Sequence, residues 1–350
     1  MNREQALDEL DRTGRLREID LSGQDLSGID LSGAVLDDVR FTGANLTGAT
    51  FKEAILKGCD FSGCMMDETV FMLAQVHACV FERASIRRAD FRSGQLVRGS
   101  YAGADFDGTD LYMCAFVEAD VRGMRIGSAH CERVTFATCR TAEIDLSGAY
   151  LDKTIFYQAD MKTARMDGTR FDKVVFHEAL LTGLDLRGRT FEICSFIAAE
   201  MTGCVLSECD LRQCNFMRAV LVGAQFEGAL ATNTLFVEAT ITDVVFRNAN
   251  LEAAVFTQAD CSRADFAGAN LKHTVFTEAT CNGTLFAGAS LYEADLSHAD
   301  LTKANFAGAN LFRTRFHCTT EDQTVFGPGR TLALGTDERR AQGENFEPHY

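Results

Sequence analysis

The chain has 350 residues, 46% of them hydrophobic, with no Trp, only two Pro and a formal net charge of −16. This charge argues against direct binding to a nucleic-acid backbone or an anionic membrane, because phosphate binding needs clustered Lys and Arg. No stretch approaches the ~20 apolar residues of a membrane span. Residues 1–19 contain no apolar signal region, so we expect a cytoplasmic protein.

The first segment is predicted to be a short helix over residues 3–13. Ala6, Leu7 and Leu10 fall on one helical face, charged residues lie between them, and Gly14 follows as a stop signal. An array of stacked repeats must cover its first open turn. We therefore interpret residues 1–19 as an N-terminal cap.

Residues 20–326 follow a repeat of five. From Leu21 to Phe326 nearly every fifth residue is large and apolar, and the residue two positions earlier is small. Of the 27 Phe, 25 occupy the large position, called the centre below. A period of five fits neither an amphipathic helix nor a plain strand. It favours a coil with flat sides and tight corners, in which each side places one large and one small side chain inside.

The repeats at 264–268 (ADFAG), 269–273 (ANLKH) and 294–298 (ADLSH) resemble the pentapeptide-repeat family. The resemblance implies an all-β fold, a right-handed quadrilateral β-helix with four pentads per coil, and so about 15 coils in this chain. Two series of Phe spaced by twenty residues support that coil length, since stacked coils repeat one residue type in a column. They are 116, 136, 156, 176, 196, 216, 236, 256 and 276, and 226, 246, 266, 286, 306 and 326.

The repeat ends after Phe326, and residues 327–350 form a mixed, polar C-terminal segment. It begins with Gly-Pro-Gly, and Thr331–Leu334 could fold over the last open coil as a cap, leaving the remainder loosely ordered. The alternative is a tail that binds a partner. The two roles are compatible.

The cysteines invite a metal or redox interpretation, but their register favours burial. Twelve of the 13 fall at the inward positions of the repeat, and only Cys318 does not. Free Cys commonly serves as a small buried hydrophobe. A buried metal at Cys194, Cys204, Cys209 and Cys214 is the alternative, but these residues lack a CxxC spacing and an adjacent His.

We predict no catalytic residue, no cofactor site and no metal site, and therefore no enzyme activity. The chain has neither GxGxxG after a strand nor GxxxxGK[ST]. A solenoid without inserted loops also offers no cleft in which catalytic groups could converge.

One side of the predicted solenoid differs from the other three. The residues just before the centres are often Asp on three sides, whereas on the side of the long Phe series only Asp295 occurs and Val, Ile or Leu are frequent. Extended apolar patches often mark interaction sites; the alternative is that this side only has the best strand propensity. The candidate partner-binding residues are Val117, Ile155, Tyr157, Val175, Ile197, Met217, Leu235, Val237, Val255 and Val275.

Two functional hypotheses follow. The first is a non-enzymatic protein–protein interaction scaffold that binds another protein or forms a homodimer. The opening repeats, residues 18–36, resemble those of pentapeptide-repeat proteins associated with bacterial type VI secretion, which implies an accessory that recruits an effector or a secretion component. The alternative is a DNA mimic that binds type II topoisomerase, like the quinolone-resistance members of the family. Scattered Arg and the apolar side argue against the mimic.

Overall fold

The computed structural model describes residues 3–344, and the chain divides into two compact units between Leu180 and Leu181. In each unit the chain winds as a β-solenoid, because parallel bridges join residues twenty positions apart. Four successive bridges mark the four sides of a turn in the first unit: Asp20 to Arg40, Asp25 to Asn45, Asp30 to Thr50, and Val35 to Ile55. The predicted β-helix with four pentads per turn is therefore confirmed in each unit.

The first unit begins with α1 (Arg3–Thr13), which confirms the predicted helix; it packs against the first strand, and its Ala6 is buried. Eight short parallel strands form one sheet: β1 (Arg15–Arg17), β2 (Val35–Asp37), β3 (Ile55–Lys57), β4 (Gln75–His77), β5 (Gln95–Val97), β6 (Ala115–Val117), β8 (Thr135–Ala137) and β10 (Ile155–Tyr157). Strands on the adjacent side of the turn pair with each other: β7 (His130–Glu132), β9 (Tyr150–Asp152) and β11 (Arg170–Asp172).

The second unit has fewer regular strands, since most of its turns pair through single bridges. Its elements are β12 (Phe191–Glu192), β13 (Asn305–Phe306), β14 (Val325–Phe326), a 3₁₀-helix (Pro328–Leu332) and α2 (Glu338–Glu344). Strands β13 and β14 are parallel neighbours. Leu334 adds a last bridge to Arg315, and the Arg330 guanidinium lies 4.5 Å from the ring centre of Phe316. The final residues of the segment that we assigned to a cap or a tail, 345–350, lie outside the described residues.

The interior is lined by the residues that the repeat assigns to it. Of the 25 Phe at centres, 24 are buried, and the exception is Phe326 at the end of the repeat. Rings one turn apart stack face to face, as Phe136 does on Phe156 in the first unit and Phe256 on Phe276 in the second. Burial of this apolar area, at roughly 25 cal/mol per Å², supplies the main stabilisation of each unit.

The corners are closed by left-handed residues two positions after the centres. Gly occupies many of them, and charged or polar residues such as Glu53 (φ 59°) occupy others. The main-chain N–H groups there are satisfied between turns, since Glu53 donates to the carbonyl of Met72. An Asp before the centre accepts the N–H two residues later, as Asp20 does from Ser22. These local bonds explain why Asp recurs in the repeat.

Candidate functional site

In the second unit the candidate residues flank the centres of one side on five successive turns, and this group is called the unit-2 strip: Ile197, Met217, Leu235, Val237, Val255 and Val275. Bridges pair Leu235 with Val255 and Val255 with Val275, so these three lie on successive turns of one side. Leu235 is 38% exposed, and the other five are half-buried. The register therefore brings the predicted residues of this unit together on one face.

The unit-2 strip is held rigidly from beneath. The Phe rings at the neighbouring centres stack in the interior beneath the strip. The ring centroids of Phe236 and Phe256 are 4.9 Å apart, and the rings of Phe236, Phe256 and Phe276 are parallel to within a few degrees. The Phe256 N–H donates to the Val275 carbonyl at 2.6 Å, which fixes the strip backbone to the preceding turn. A docking partner would meet a preformed surface and would not have to order it, which lowers the entropic cost of binding.

Polar side chains border the unit-2 strip along one corner. Arg218 Nε lies 2.7 Å from a Glu238 carboxylate oxygen, and Gln258 donates to Glu278 at 2.8 Å. At the C-terminal end the apolar column gives way to Asp295, which pairs with Arg315 at 3.2 Å. An apolar centre with a polar rim is the usual anatomy of a protein interface.

The first unit carries a shorter group, called the unit-1 patch: Val117, Ile155, Tyr157 and Val175. Ile155 is 37% exposed and bridges to Val175, whereas Val117 and Tyr157 are separated by the turn that carries Ala137. Tyr157 stacks on His177 with ring centres 5.6 Å apart. The patch is thus on the predicted side of the solenoid, but small and polar residues interrupt it.

The aspartates of the other sides are engaged within the fold. Arg122 and Arg140 both pair with Asp120 in the first unit, at 2.6 and 3.4 Å. In the second unit Arg247 pairs with Asp265 at 2.6 Å. A hydrogen bond from the Arg212 side chain lowers the pKa of Asp210. Much of the acidic character is therefore neutralised locally and does not form an open array of carboxylates.

The cysteines lie where the register predicts. Twelve are buried and only Cys318 is partly exposed, which confirms the assignment. Burial raises the pKa of Cys64 and Cys204 to about 11, so these thiols are protonated at neutral pH. Because the thiolate is the nucleophile and metal ligand, such residues are inert. No helix in the described part of the chain is long and apolar enough to cross a bilayer.

The sequence interpretation missed a cluster at the C-terminal end of the second unit. His298 and His317 both face the carboxylate of Glu344, at 3.2 and 3.0 Å. The two histidines lie 19 positions apart, which places them in neighbouring turns, and that spacing was visible in the sequence. Glu344 belongs to the non-repeating segment, where no period places it.

Comparison with known proteins supports the repeat assignment. A family described as "Pentapeptide repeats (8 copies)" matches residues 15–52, 129–168, 194–230, 219–258, 235–272, 245–283, 254–291 and 279–317. A second, "Pentapeptide repeat region", matches residues 34–102. No curated protein matches the chain significantly.

Similar solved structures include other pentapeptide-repeat proteins. HetL, involved in heterocyst differentiation regulation in the cyanobacterium Nostoc sp. strain PCC 7120, is 20% identical over 90% of this chain and 96% of its own, with a TM-score of 0.23. QnrB1, a plasmid-mediated fluoroquinolone resistance protein, is 14% identical over 70% of this chain and 91% of its own, with a TM-score of 0.28. Scores this low add no argument about function. The family repeats match more than half of the chain, and the chain therefore belongs to the pentapeptide-repeat family.

Proposed function

We propose that this protein is a non-enzymatic scaffold that binds another protein through the unit-2 strip. The observation that carries the proposal is a row of apolar side chains, from Ile197 to Val275, that stays partly exposed on a rigid face. Strand propensity alone accounts for β-branched residues there, but not for Met217 and Leu235, which have no special preference for strands. A partner that covers the strip removes this apolar area from water.

The unit-1 patch is proposed as an auxiliary surface for the same kind of partner. It offers Tyr157, a rigid aromatic with a polar tip, beside the exposed Ile155. Tyr is enriched in binding hot spots because it contributes a large contact area at low entropic cost. The weaker continuity of this patch makes the unit-2 strip the better first target for mutation.

A finer proposal concerns the identity of the partner. The repeats at residues 18–36 are similar to those of proteins linked to type VI secretion, and an effector or secretion component is the corresponding partner. The topoisomerase-binding DNA mimic is the second candidate. It has less support, because Arg side chains pair with many of the aspartates that would imitate phosphates. A third candidate partner for the strip is a second copy of this chain, which would make the protein a homodimer.

The test is a double substitution, Val255→Asp with Val275→Asp. Asp295 occupies the equivalent position one turn later, so the backbone accommodates Asp there. The control is Leu230→Asp with Leu285→Asp, two exposed residues at the same pentad position on other sides of the unit. Asp210 and Asp265, one turn before them, show that Asp also fits at the control positions.

Immobilised wild-type protein and both variants are used to capture partners from the source cells, and sedimentation velocity measures self-association. We expect the wild type and the control to retain the same partner or dimer, and the strip variant to lose it by about tenfold or more. If the strip variant still captures the partner or still dimerises, the unit-2 strip is not the binding surface. Gyrase supercoiling is measured with the protein at low micromolar concentration. If the wild type and the strip variant inhibit or relieve supercoiling equally, the DNA-mimic hypothesis is favoured over the scaffold hypothesis.

A further inference from the structure

Three segments of the second unit bring metal-binding side chains to one point. His298 occupies a left-handed corner position (φ 61°), His317 follows the centre Phe316 in the next turn, and Glu344 is the last residue of α2. One ligand atom from each residue lies within 4.8 Å of the other two. Among the described residues this is the one group of three or more such side chains with that property.

The distances suit a small dication. Oε2 of Glu344 is 3.0 Å from Nε2 of His317 and 3.2 Å from Nε2 of His298. Zinc–nitrogen and zinc–oxygen bonds of ~2.0–2.2 Å in tetrahedral geometry separate neighbouring ligand atoms by about 3.4 Å. Shifts of a few tenths of an ångström bring both Glu344–His distances to this value, and the ligand atoms of the two histidines lie within 4.8 Å of each other. Sγ of Cys318, 3.5 Å from Nε2 of His317, lies beside the same position.

The surroundings position the three ligands. The N–H of His298 donates to the carbonyl of His317 at 2.8 Å, which ties the two turns together. The His317 side chain is 4% exposed, so its ring has little freedom. Arg340 holds the other Glu344 oxygen at 2.7 Å and leaves Oε2 directed at the histidines. Hydrogen bonds that orient ligands in this way are typical of metal sites.

We propose that His298, His317 and Glu344 form a binding site for a zinc-class divalent metal ion. Two imidazoles and one carboxylate are a ligand set that Zn²⁺ accepts, with a fourth position left for water or for Cys318. His298 and Glu344 are 34% and 35% exposed, so the ion can reach the site from solvent. A bound ion would join α2 to the last two turns of the solenoid.

One hydrogen bond gives the site a specific signature. The Asp337 N–H, just before α2, donates to Nδ1 of His317 at 3.1 Å. Without metal, Nδ1 of His317 is therefore the hydrogen-bond acceptor. Nε2 carries the ring proton and donates a hydrogen bond to Glu344. When Nε2 binds the ion, neutral His317 carries its proton on Nδ1, and the bond from Asp337 is lost. Metal binding is thus coupled to movement at the start of α2.

Zinc binding to the full chain is measured by competition with a chromophoric chelator and by calorimetry. We expect one ion per chain, with affinity at least about tenfold weaker in His298→Ala and in Glu344→Gln. The control is His273→Ala, because His273 faces Glu293 at 3.6 Å and belongs to no three-ligand cluster of the described residues. All thirteen thiols are kept in these variants, so their contribution cancels.

Two further measurements separate ligation from loss of folding. Circular dichroism without zinc is expected to be unchanged in His298→Ala, whose side chain is partly exposed. At a zinc concentration that saturates the wild type but not the variant, hydrogen exchange at the Asp337 amide is expected to accelerate in the wild type and to change much less in His298→Ala. Equal zinc affinity in wild type and His298→Ala, no binding at millimolar zinc, or binding without any change at Asp337 would each overturn the proposal.

Discussion

Tyr101 shows how strictly the interior selects apolar side chains. Its ring is fully buried and stacks on Phe81 at 5.1 Å, but its hydroxyl has no hydrogen-bond partner among residues 3–344. Gly99, at the small inward position of the same pentad, makes room for it, since a Cβ there would lie 2.9 Å from the Tyr101 hydroxyl oxygen. Burial raises the pKa of Tyr101 well above its ordinary value. The buried hydroxyl therefore costs desolvation without compensation from a protein partner.

Replacing Tyr101 with Phe is expected to stabilise the protein by about 1–2 kcal/mol, because the unpaired hydroxyl is removed while the ring stays. The measurement is the free energy of unfolding in urea, with Tyr112→Phe as the control for removal of a hydroxyl from a half-buried tyrosine. An ordered water on the Tyr101 hydroxyl would reverse the sign of the effect, so a loss of stability contradicts the assignment of an orphaned group.

At the scale of elements, the corners carry local strain that the turns tolerate. Most non-Gly corner residues are polar or charged, but Ile193 is β-branched, 46% exposed and left-handed, with φ 52°. A β-branched residue in this region is a genuine outlier and costs about 1 kcal/mol or more. Its exposed side chain lies in the same turn as Ile197 of the unit-2 strip. A strained backbone next to this apolar surface is consistent with the proposed binding role of the strip.

Ile193→Asn is expected to raise stability by about 0.5–1 kcal/mol, because Asn tolerates the left-handed conformation. Asn233, two turns later at the same corner, has φ 57° and shows that the position accepts it. Thermal unfolding of the variant is compared with Gln213→Asn, where an unbranched polar residue is replaced and little change is expected. A variant less stable than the wild type would show that packing of the Ile193 side chain outweighs the backbone strain.

Elements with a periodic sequence pattern were predictable, and the C-terminal segment without one was not. The period placed the Phe centres, the twelve inward cysteines and the residues of the unit-2 strip, because neighbours in a solenoid lie at fixed sequence offsets. Helix 3–13 followed from its own amphipathic pattern. Glu344 has neither signal: its position depends on how a non-repeating segment folds back on the last turns. The cluster with His298 and His317 was therefore invisible to a residue-by-residue interpretation.

At the scale of the whole molecule, the net charge is −16, and 16 of the 50 acidic residues are aspartates at the position before a centre, where the repeat itself uses them. Hydrogen bonds from Ser22 and Ser32 lower the pKa of Asp20 and Asp30. For Asp60 and Asp120 burial alone would raise the pKa, but hydrogen bonds from Ser62 and Arg122 outweigh it. These corner aspartates are thus explained by hydrogen bonding within the repeat, without nucleic-acid mimicry.

These lowered pKa values predict acid-sensitive stability. A carboxyl whose folded pKa lies below its unfolded value of about 3.9 stabilises the fold above that value. This stabilisation is lost as the pH falls through the folded pKa. Between pH 7 and 5 the contribution is intact, and partial relief of negative repulsion opposes any loss. Below pH 4 the carboxylates are neutralised while 34 Lys and Arg stay charged, so positive repulsion adds to the loss.

We therefore expect thermal midpoints within a few degrees at pH 7 and 5 and a fall of more than about 10 °C at pH 3. Repeating the series in 0.5 M NaCl separates the two causes, because salt screens the repulsion but leaves the short corner hydrogen bonds largely intact. The part of the fall in the thermal midpoint that persists in salt is due to protonation of the corner aspartates. A midpoint at pH 3 equal to that at pH 7 would mean that corner aspartates such as Asp60 and Asp120 contribute nothing to stability, and the acidic surface would then require a functional explanation.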